Sequence, residues 1–373
     1  MDKNENLYLN CFFVISFIFI TFTTIFYNFE NSLIYGASDG TTYMKIAQAA
    51  PYISSEELIY HKAQRFIIPY FIGIISYFTK IEAYTIFRIF AFIFIISNLI
   101  LFLKIFKKFN IHIDQRFYLF SIFIFNPYIV RYFLSLPTLI NDLIFIFSGT
   151  LLIFAFLENK KIFVYIAIFL ATASRVNAIF FVVSIIITKL VYKKKFNFYI
   201  YDIVLVIIVF FFTNFINFNH ANIVGVENSF YDLKIRFGLF FSNYSSEEFL
   251  LFIIFPLINF LPLILIPLLF NFKFDYDNLI ADQIFFISLL ICLMIYFIAF
   301  IAGPIITGRN IIRLINLSYP FLIYIIFKLI DKKKFLIGSI KKLIFFSFLI
   351  LWSLHPTYST INLFKPFLNI FKF

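Results

Sequence analysis

Charge is scarce in this chain. Only 13% of its 373 residues are Asp, Glu, Lys or Arg, against roughly 25% in soluble domains. With 62% of the residues hydrophobic, a soluble domain of this size could not hide its apolar surface, so the solvent is lipid. Cysteine is scarcer still. Cys11 and Cys292 both fall within apolar runs, which reads as inert thiols and excludes a disulfide framework. No Cys or His pairs recur at zinc-ligand spacing. The start of the chain lacks a small-residue cleavage site. Only Lys3 precedes the long apolar run "CFFVISFIFITFTTIFYNF", which reads as an uncleaved first span and not a signal peptide. No internal repeat is visible, although secondary transporters usually show repeated halves with broken helices at matching positions.

Apolar runs are abundant. A bilayer-spanning helix needs about 20 apolar residues, and the runs here predict about eleven such helices in an all-α, polytopic bundle forming one transmembrane domain over 1–373. Phe alone accounts for 62 residues. Its excess, with Ile, Lys, Asn and Tyr, fits the codon usage of an AT-rich genome and says little about function.

The formal charge of +12 would suggest nucleic acid in a soluble protein. Its placement argues otherwise. Lys104, Lys107, Lys108 and Arg116 form one cluster, Lys160 and Lys161 a second, Lys193 to Lys195 a third, and Lys332 to Lys334 with Lys341 and Lys342 a fourth. Each occupies a short gap between apolar runs, as cytoplasmic loops do. A membrane surface accounts for the charge, and no nucleic-acid partner is expected.

Placing the lysine clusters inside sets the threading. Spans are expected at 11–29, 83–103, 117–134, 139–157, 162–174, 177–192, 199–216, 249–270, 283–302, 314–330 and 343–354. Two large external loops result, at 30–82 and 217–248. The segment "FIIPYFIGIISYF" is too short to cross comfortably and contains Pro69 and Gly73. It is read as a juxtamembrane helix within the first loop.

The residues suited to chemistry fall on that external side. "SDG" is a turn signal, and "TTYMKIAQAA" reads as a short helix on the membrane surface, ended by Pro51. Tyr43, Ile46, Ala47 and Ala50 share one of its faces. Ser38 or Asp39 would cap it. The plain reading of Asp39 is therefore a helix cap. The functional reading is a carboxylate at the membrane face, able to accept a hydroxyl proton as general base or to help hold a divalent metal. In "HKAQRFIIPYFIG", His61, Lys62 and Arg65 precede the interfacial segment. Cations at that depth suit a lipid phosphate, with Arg offering a planar fork, although snorkelling to headgroups would also place them there. Arg131, Asp142, Arg175, Arg309 and Arg313 lie in spans or at their rims, where ionisable groups are costly and default to functional candidates. Asp142 could simply neutralise Arg131 or Arg175. The excess of Arg over Asp favours an anionic ligand. The loop 217–248 is long enough for a partial lid.

These fragments together resemble the GT-C superfamily of integral membrane glycosyltransferases. "SDGTTYMKIAQ" is similar to the acidic motif and Tyr of that family's first external loop. "RFIIPYFIGIISYF" resembles its Arg-x-x-x-Pro juxtamembrane element. "NPYIVRYFLSLPTLINDLIFIF" resembles its Pro-containing outward span and the Asp opening the next span. "TASRVNAIFFV" resembles the hairpin with an Arg near the outer rim. Past about residue 195 the likeness thins to "GRNIIRLINLSYPFLIYII". Many members have two adjacent acidic residues where Ser38 and Asp39 stand here, a departure that weakens a metal-binding acidic pair and does not weaken a lone base.

The resemblance implies a polyprenyl-phosphate-linked sugar donor arriving from membrane lipid, and a glycan, lipid or protein acceptor. Asp39 would be the catalytic base. Tyr43, His61, Lys62, Arg65, Asp142, Arg175, Arg309 and Arg313 would bind substrate. The resemblance fixes no cofactor and is compatible with a divalent metal. The expected location is a bacterial inner membrane with the active face outward. A polysaccharide polymerase or ligase acting on lipid-linked glycan is the nearest alternative. A transporter or flippase of anionic lipid-linked sugars is a more distant one, since it should place charge deep within spans.

Overall fold

The computed structural model describes residues 3–26, 37–53, 58–59, 64–108, 113–193, 198–218, 223–224, 253–254, 256–257, 260–263, 279, 281–307, 311–329 and 339–353. The architecture over these residues is helical. The helices are α1 (Lys3–Phe26), α2 (Ala37–Ala49), α3 (Ile67–Thr79), α4 (Ala83–Lys108), α5 (Ile113–Ile124), α6 (Ile140–Leu157), α7 (Lys161–Ser174), α8 (Ile179–Tyr192), α9 (Ile200–Phe218), α10 (Gln283–Thr307), α11 (Ile311–Asn316), α12 (Tyr319–Leu329) and α13 (Ser339–Ser353).

Among the described residues, five stretches are long and apolar enough to cross a membrane: Ala83–Lys108, Phe117–Ser135, Pro137–Leu157, Ile200–Asn217 and Gln283–Ile301. The remaining apolar helices are shorter, among them Lys161–Ser174, Val176–Tyr192 and Tyr319–Leu329. Most of the expected span at 249–270 lies outside the described residues, as do most of the loop 217–248 and residues His61, Lys62 and Arg309.

Several boundaries differ from expectation, each for a local reason. α2 begins at Ala37, so Asp39 stands inside its first turn and is not the cap, and the "SDG" turn is absorbed into the helix. α4 continues to Lys108, so Lys104, Lys107 and Lys108 belong to its last turns and not to a gap. Long lysine stems favour helix and carry their charge back toward water. The 117–134 span is interrupted. Pro127 has no N–H to donate, and Asn126 Oδ1 accepts the Tyr128 amide at 2.9 Å. The backbone passes through a π-turn at Pro127–Arg131 and a helical turn at Tyr132–Ser135, then a 3-10 turn at Pro137–Leu139.

Other expectations are met. The face of α2 bearing Tyr43, Ile46, Ala47 and Ala50 is buried. It packs on α3, whose 13 residues are short of a crossing. Gly73 makes that crossing close, because a Cβ there would lie 2.1 Å from the Ala47 carbonyl oxygen. The α7–α8 hairpin turns at Arg175, where the sequence places it.

α6 is the central helix. It packs along α4 and, through the turn at Glu158–Lys160, against α7. Nearly its whole circumference is buried. α4, α9 and α10 instead turn Ile and Phe side chains outward, including Ile93, Phe212, Phe215 and Phe297. Contiguous exposed apolar surface of this kind suits lipid contact and not water. One short extended pairing joins the two expected external loops, with Leu58–Ile59 parallel to Ile223–Val224.

Candidate functional site

Five charged side chains from five parts of the chain meet at one end of the bundle. Asp39 comes from the first turn of α2 and Arg65 from the turn before α3. Asp142 comes from the first turn of α6, Arg175 from the α7–α8 hairpin and Arg313 from α11. Asp39 Oδ2 pairs with Arg313 Nη1 at 2.8 Å and with Arg65 Nη1 at 3.3 Å. Asp142 Oδ1 lies 3.2 Å from Arg175 Nη1, and its Oδ2 accepts from Arg313 Nε. Arg313 therefore bridges both carboxylates. Arg65 Nη1 also donates to the Tyr43 hydroxyl at 2.7 Å. Asp39 and Tyr43 are one turn apart on α2, so a single guanidinium can reach both.

Polar groups inside the bundle hold these elements in register. Asn141 Nδ2 donates to the Arg65 carbonyl at 3.3 Å. Asn217, fully buried in the last turn of α9, accepts the Ile67 amide and donates to the Thr172 carbonyl, both at 3.2 Å. It thus links the start of α3 to the end of α7. The positions flanking Arg65 and Arg175 are tied to each other through one amide side chain.

Burial is graded. The side chains of Asp142 and Arg175 are 1% and 5% exposed, while Asp39 is 17% and Arg65 14%. The cluster opens on the Asp39 side. Burial by itself would raise the Asp39 carboxyl. Arg313 and Arg65 outweigh it and hold the group well below the usual carboxylate range. Three arginines against two aspartates leave one positive charge. Four buried polar atoms of this network carry no hydrogen bond: Asp142 Oδ1 and Arg175 Nη1, which face each other as an ion pair, and Arg313 Nη2 and Asn141 Oδ1. Buried polar groups are normally satisfied, so an anion that accepts from Arg313 would complete the site.

Of the residues singled out in the sequence, the structure brings together Asp39, Tyr43, Arg65, Asp142, Arg175 and Arg313. His61, Lys62 and Arg309 lie outside the described residues. Of the two partners considered for Asp142, Arg175 takes the role, joined by Arg313. Arg131 instead donates to the Thr23 hydroxyl at 2.8 Å from a buried position behind the site. Two supporting residues were missed, Asn141 as the clasp on Arg65 and Asn217 as the bridge. The signal for both was a carboxamide at the end of an apolar run.

Among the described residues no three His, Cys, Asp or Glu side chains gather to hold a metal ion. Asp39 and Asp142 each face guanidinium groups. The residues present do not fit a metal at this cluster.

No family model, curated protein or solved structure matches the chain.

Proposed function

We propose that the protein is a membrane glycosyltransferase that moves a sugar from a polyprenyl-phosphate donor to an acceptor hydroxyl at the external face. The observation that carries this reading is that Arg65 and Arg313 both pair with Asp39 at the less buried side of the cluster. A phosphate entering there competes with Asp39 for the same two guanidinium groups. Arginine's bidentate fork favours phosphate oxygens. Once the arginines turn to the phosphate, Asp39 loses the charges that hold its pKa down, and it becomes able to accept a proton.

The reaction then balances as one displacement. The acceptor oxygen attacks the anomeric carbon, its proton passes to Asp39, and the bond from that carbon to the phosphate oxygen breaks. Arg65, Arg313 and Arg175 stabilise the departing polyprenyl phosphate. Such preorganised charge is usually the largest contribution in a site shielded from water. Asp142 keeps Arg175 and Arg313 aimed. In this reading Tyr43 orients Arg65.

The test compares wild type with Asp39→Asn, both purified in detergent and incubated with a panel of polyprenyl-phosphate sugars and a membrane lipid extract. Mass spectrometry follows release of polyprenyl phosphate. Loss of a general base costs about 10²–10⁴-fold, so release per folded molecule should fall by at least about 10²-fold in Asp39→Asn. A fully active Asp39→Asn protein would sink the assignment.

A further inference from the structure

A second polar site lies at the opposite end of the same helices. Asp142 opens α6 and Asn159 follows its end, while Lys161 opens α7 and Arg175 follows its end. The 18 residues of α6 separate the two by about 27 Å at a rise of about 1.5 Å per residue. Here the α6–α7 turn and the starts of α9 and α10 enclose a cavity of about 220 Å³. Asn159, Lys160, Lys161 and Asp282 line it, over an apolar floor that includes Phe156 and Phe198.

The two aspartates here are already engaged. Asp282 Oδ1 accepts the Ile284 and Phe285 amides at 2.9 and 3.0 Å, capping α10, and its Oδ2 pairs with Lys328. Asp202 Oδ2 pairs with Lys161 at 2.7 Å and accepts the Tyr199 amide at 2.8 Å, while its Oδ1 accepts the Tyr165 hydroxyl at 2.8 Å. Glu158 in the same turn pairs with Lys108 at 2.9 Å, so four lysines, Lys108, Lys160, Lys161 and Lys328, face three carboxylates, Glu158, Asp202 and Asp282. Lys160 is exposed at the rim, with its ammonium 5.7 Å from the Phe163 ring. The surrounding surface is apolar or amphipathic: Ile162 is 61% exposed, Ile200 78% and Tyr201 64%. Such a rim, with tyrosines beside lysines, suits the headgroup level of a bilayer.

We propose that this cavity binds the phosphate of an anionic phospholipid headgroup. Lys160 and Lys161 would be its cations, and the acyl chains would lie against the exposed Ile162 and Ile200 side. A lipid is favoured over a free anion because the cation pair opens directly onto that apolar rim. The site is independent of glycosyl transfer at Asp39 and does not fall with it.

The full-length protein in detergent is titrated with short-chain phosphatidylglycerol, with short-chain phosphatidylcholine and with inorganic phosphate. Bound lipid is counted by native mass spectrometry and checked by thermal shift. Phosphatidylglycerol should bind and raise the midpoint, whereas phosphatidylcholine and phosphate should not. Each basic side chain contributes about fivefold to anionic-lipid affinity. Lys160→Gln should therefore weaken binding about fivefold, and Lys160→Glu about twenty-fivefold. Lys80→Glu, another exposed lysine remote from the cavity, should leave binding unchanged. An equal shift from inorganic phosphate would make this a free-anion site. Equal binding by wild type and Lys160→Glu, or an equal loss in Lys80→Glu, would overturn the proposal.

Discussion

Asp39 and Asp142 use the same residue type in two settings, and their tests differ accordingly. Asp142 is almost wholly buried between Arg175 and Arg313. Removing one partner of a buried ion pair leaves the other charge uncompensated, which typically costs about 3–5 kcal/mol. Asp142→Asn should lower the denaturation midpoint in mixed micelles by a corresponding amount. An unchanged midpoint would mean that the two arginines are neutralised elsewhere. Asp39 is less buried, and its folded-state carboxyl is depressed from an ordinary value near 3.8. For a depressed acid, the stabilisation is fully present above the unfolded pKa and is lost as pH falls through the folded one. Hydrogen exchange of the α2 amides, corrected for intrinsic rate, should therefore stay flat from pH 8 to about pH 5 and accelerate only in stronger acid. Acceleration already between pH 7 and 5 would contradict the Asp39 ion pairs.

At the scale of elements, the site depends on how closely α2 lies on α3. Asp39 and Tyr43 ride on α2, and Arg65 immediately precedes α3. A Cβ on Gly73 would meet the Ala47 carbonyl oxygen at 2.1 Å and the Ala50 Cβ at 2.7 Å. The nearest of these atoms is backbone, so a side chain cannot be accommodated by a rotamer change. Gly73→Leu should push the helices apart, destabilise by about 1–3 kcal/mol and lower sugar transfer by a larger factor than that loss of folded protein explains. Transfer at the wild-type rate per folded molecule would show that the α2–α3 spacing does not set the site. This dependence was only partly legible beforehand. The buried face of α2 follows from helical periodicity, but the partner of that face does not, because periodicity marks an apolar face without saying what covers it.

For the whole molecule, the fold places two charged clusters at opposite ends of shared helices. One is made of Asp39, Arg65, Asp142, Arg175 and Arg313, and the other of Lys108, Glu158, Lys160, Lys161, Asp202, Asp282 and Lys328. If the lysine-rich end faces the cytoplasm, the two ends react with an impermeant probe from opposite sides. The expected result uses protein with Cys11 and Cys292 replaced by Ser and a single cysteine at Tyr52 or at Asn159. Maleimide should label Tyr52→Cys from outside intact cells and Asn159→Cys only in inverted vesicles. Labelling of both from one side would overturn the topology.

The sequence by itself determined the apolar surroundings, the helical class and the tight turn at Arg175. Those properties follow from composition and from local chemistry, such as a run of apolar side chains, a proline without its N–H, or an Arg in a gap too short to hide it. It also marked Asp142, Arg175 and Arg313 as charges in costly places, and Asp39 and Arg65 as charges at the membrane face. Only the tertiary structure decided their partners. Arg313 is 274 residues from Asp39 along the chain, and nothing local can specify a pairing at that separation. Nor could local signals assign Asn217 its bridge from Ile67 to Thr172, or turn Arg131 to Thr23 and leave Asp142 to Arg175 and Arg313. Those choices arise where several helices pack at once, because each buried polar group must find its partner within the packed bundle.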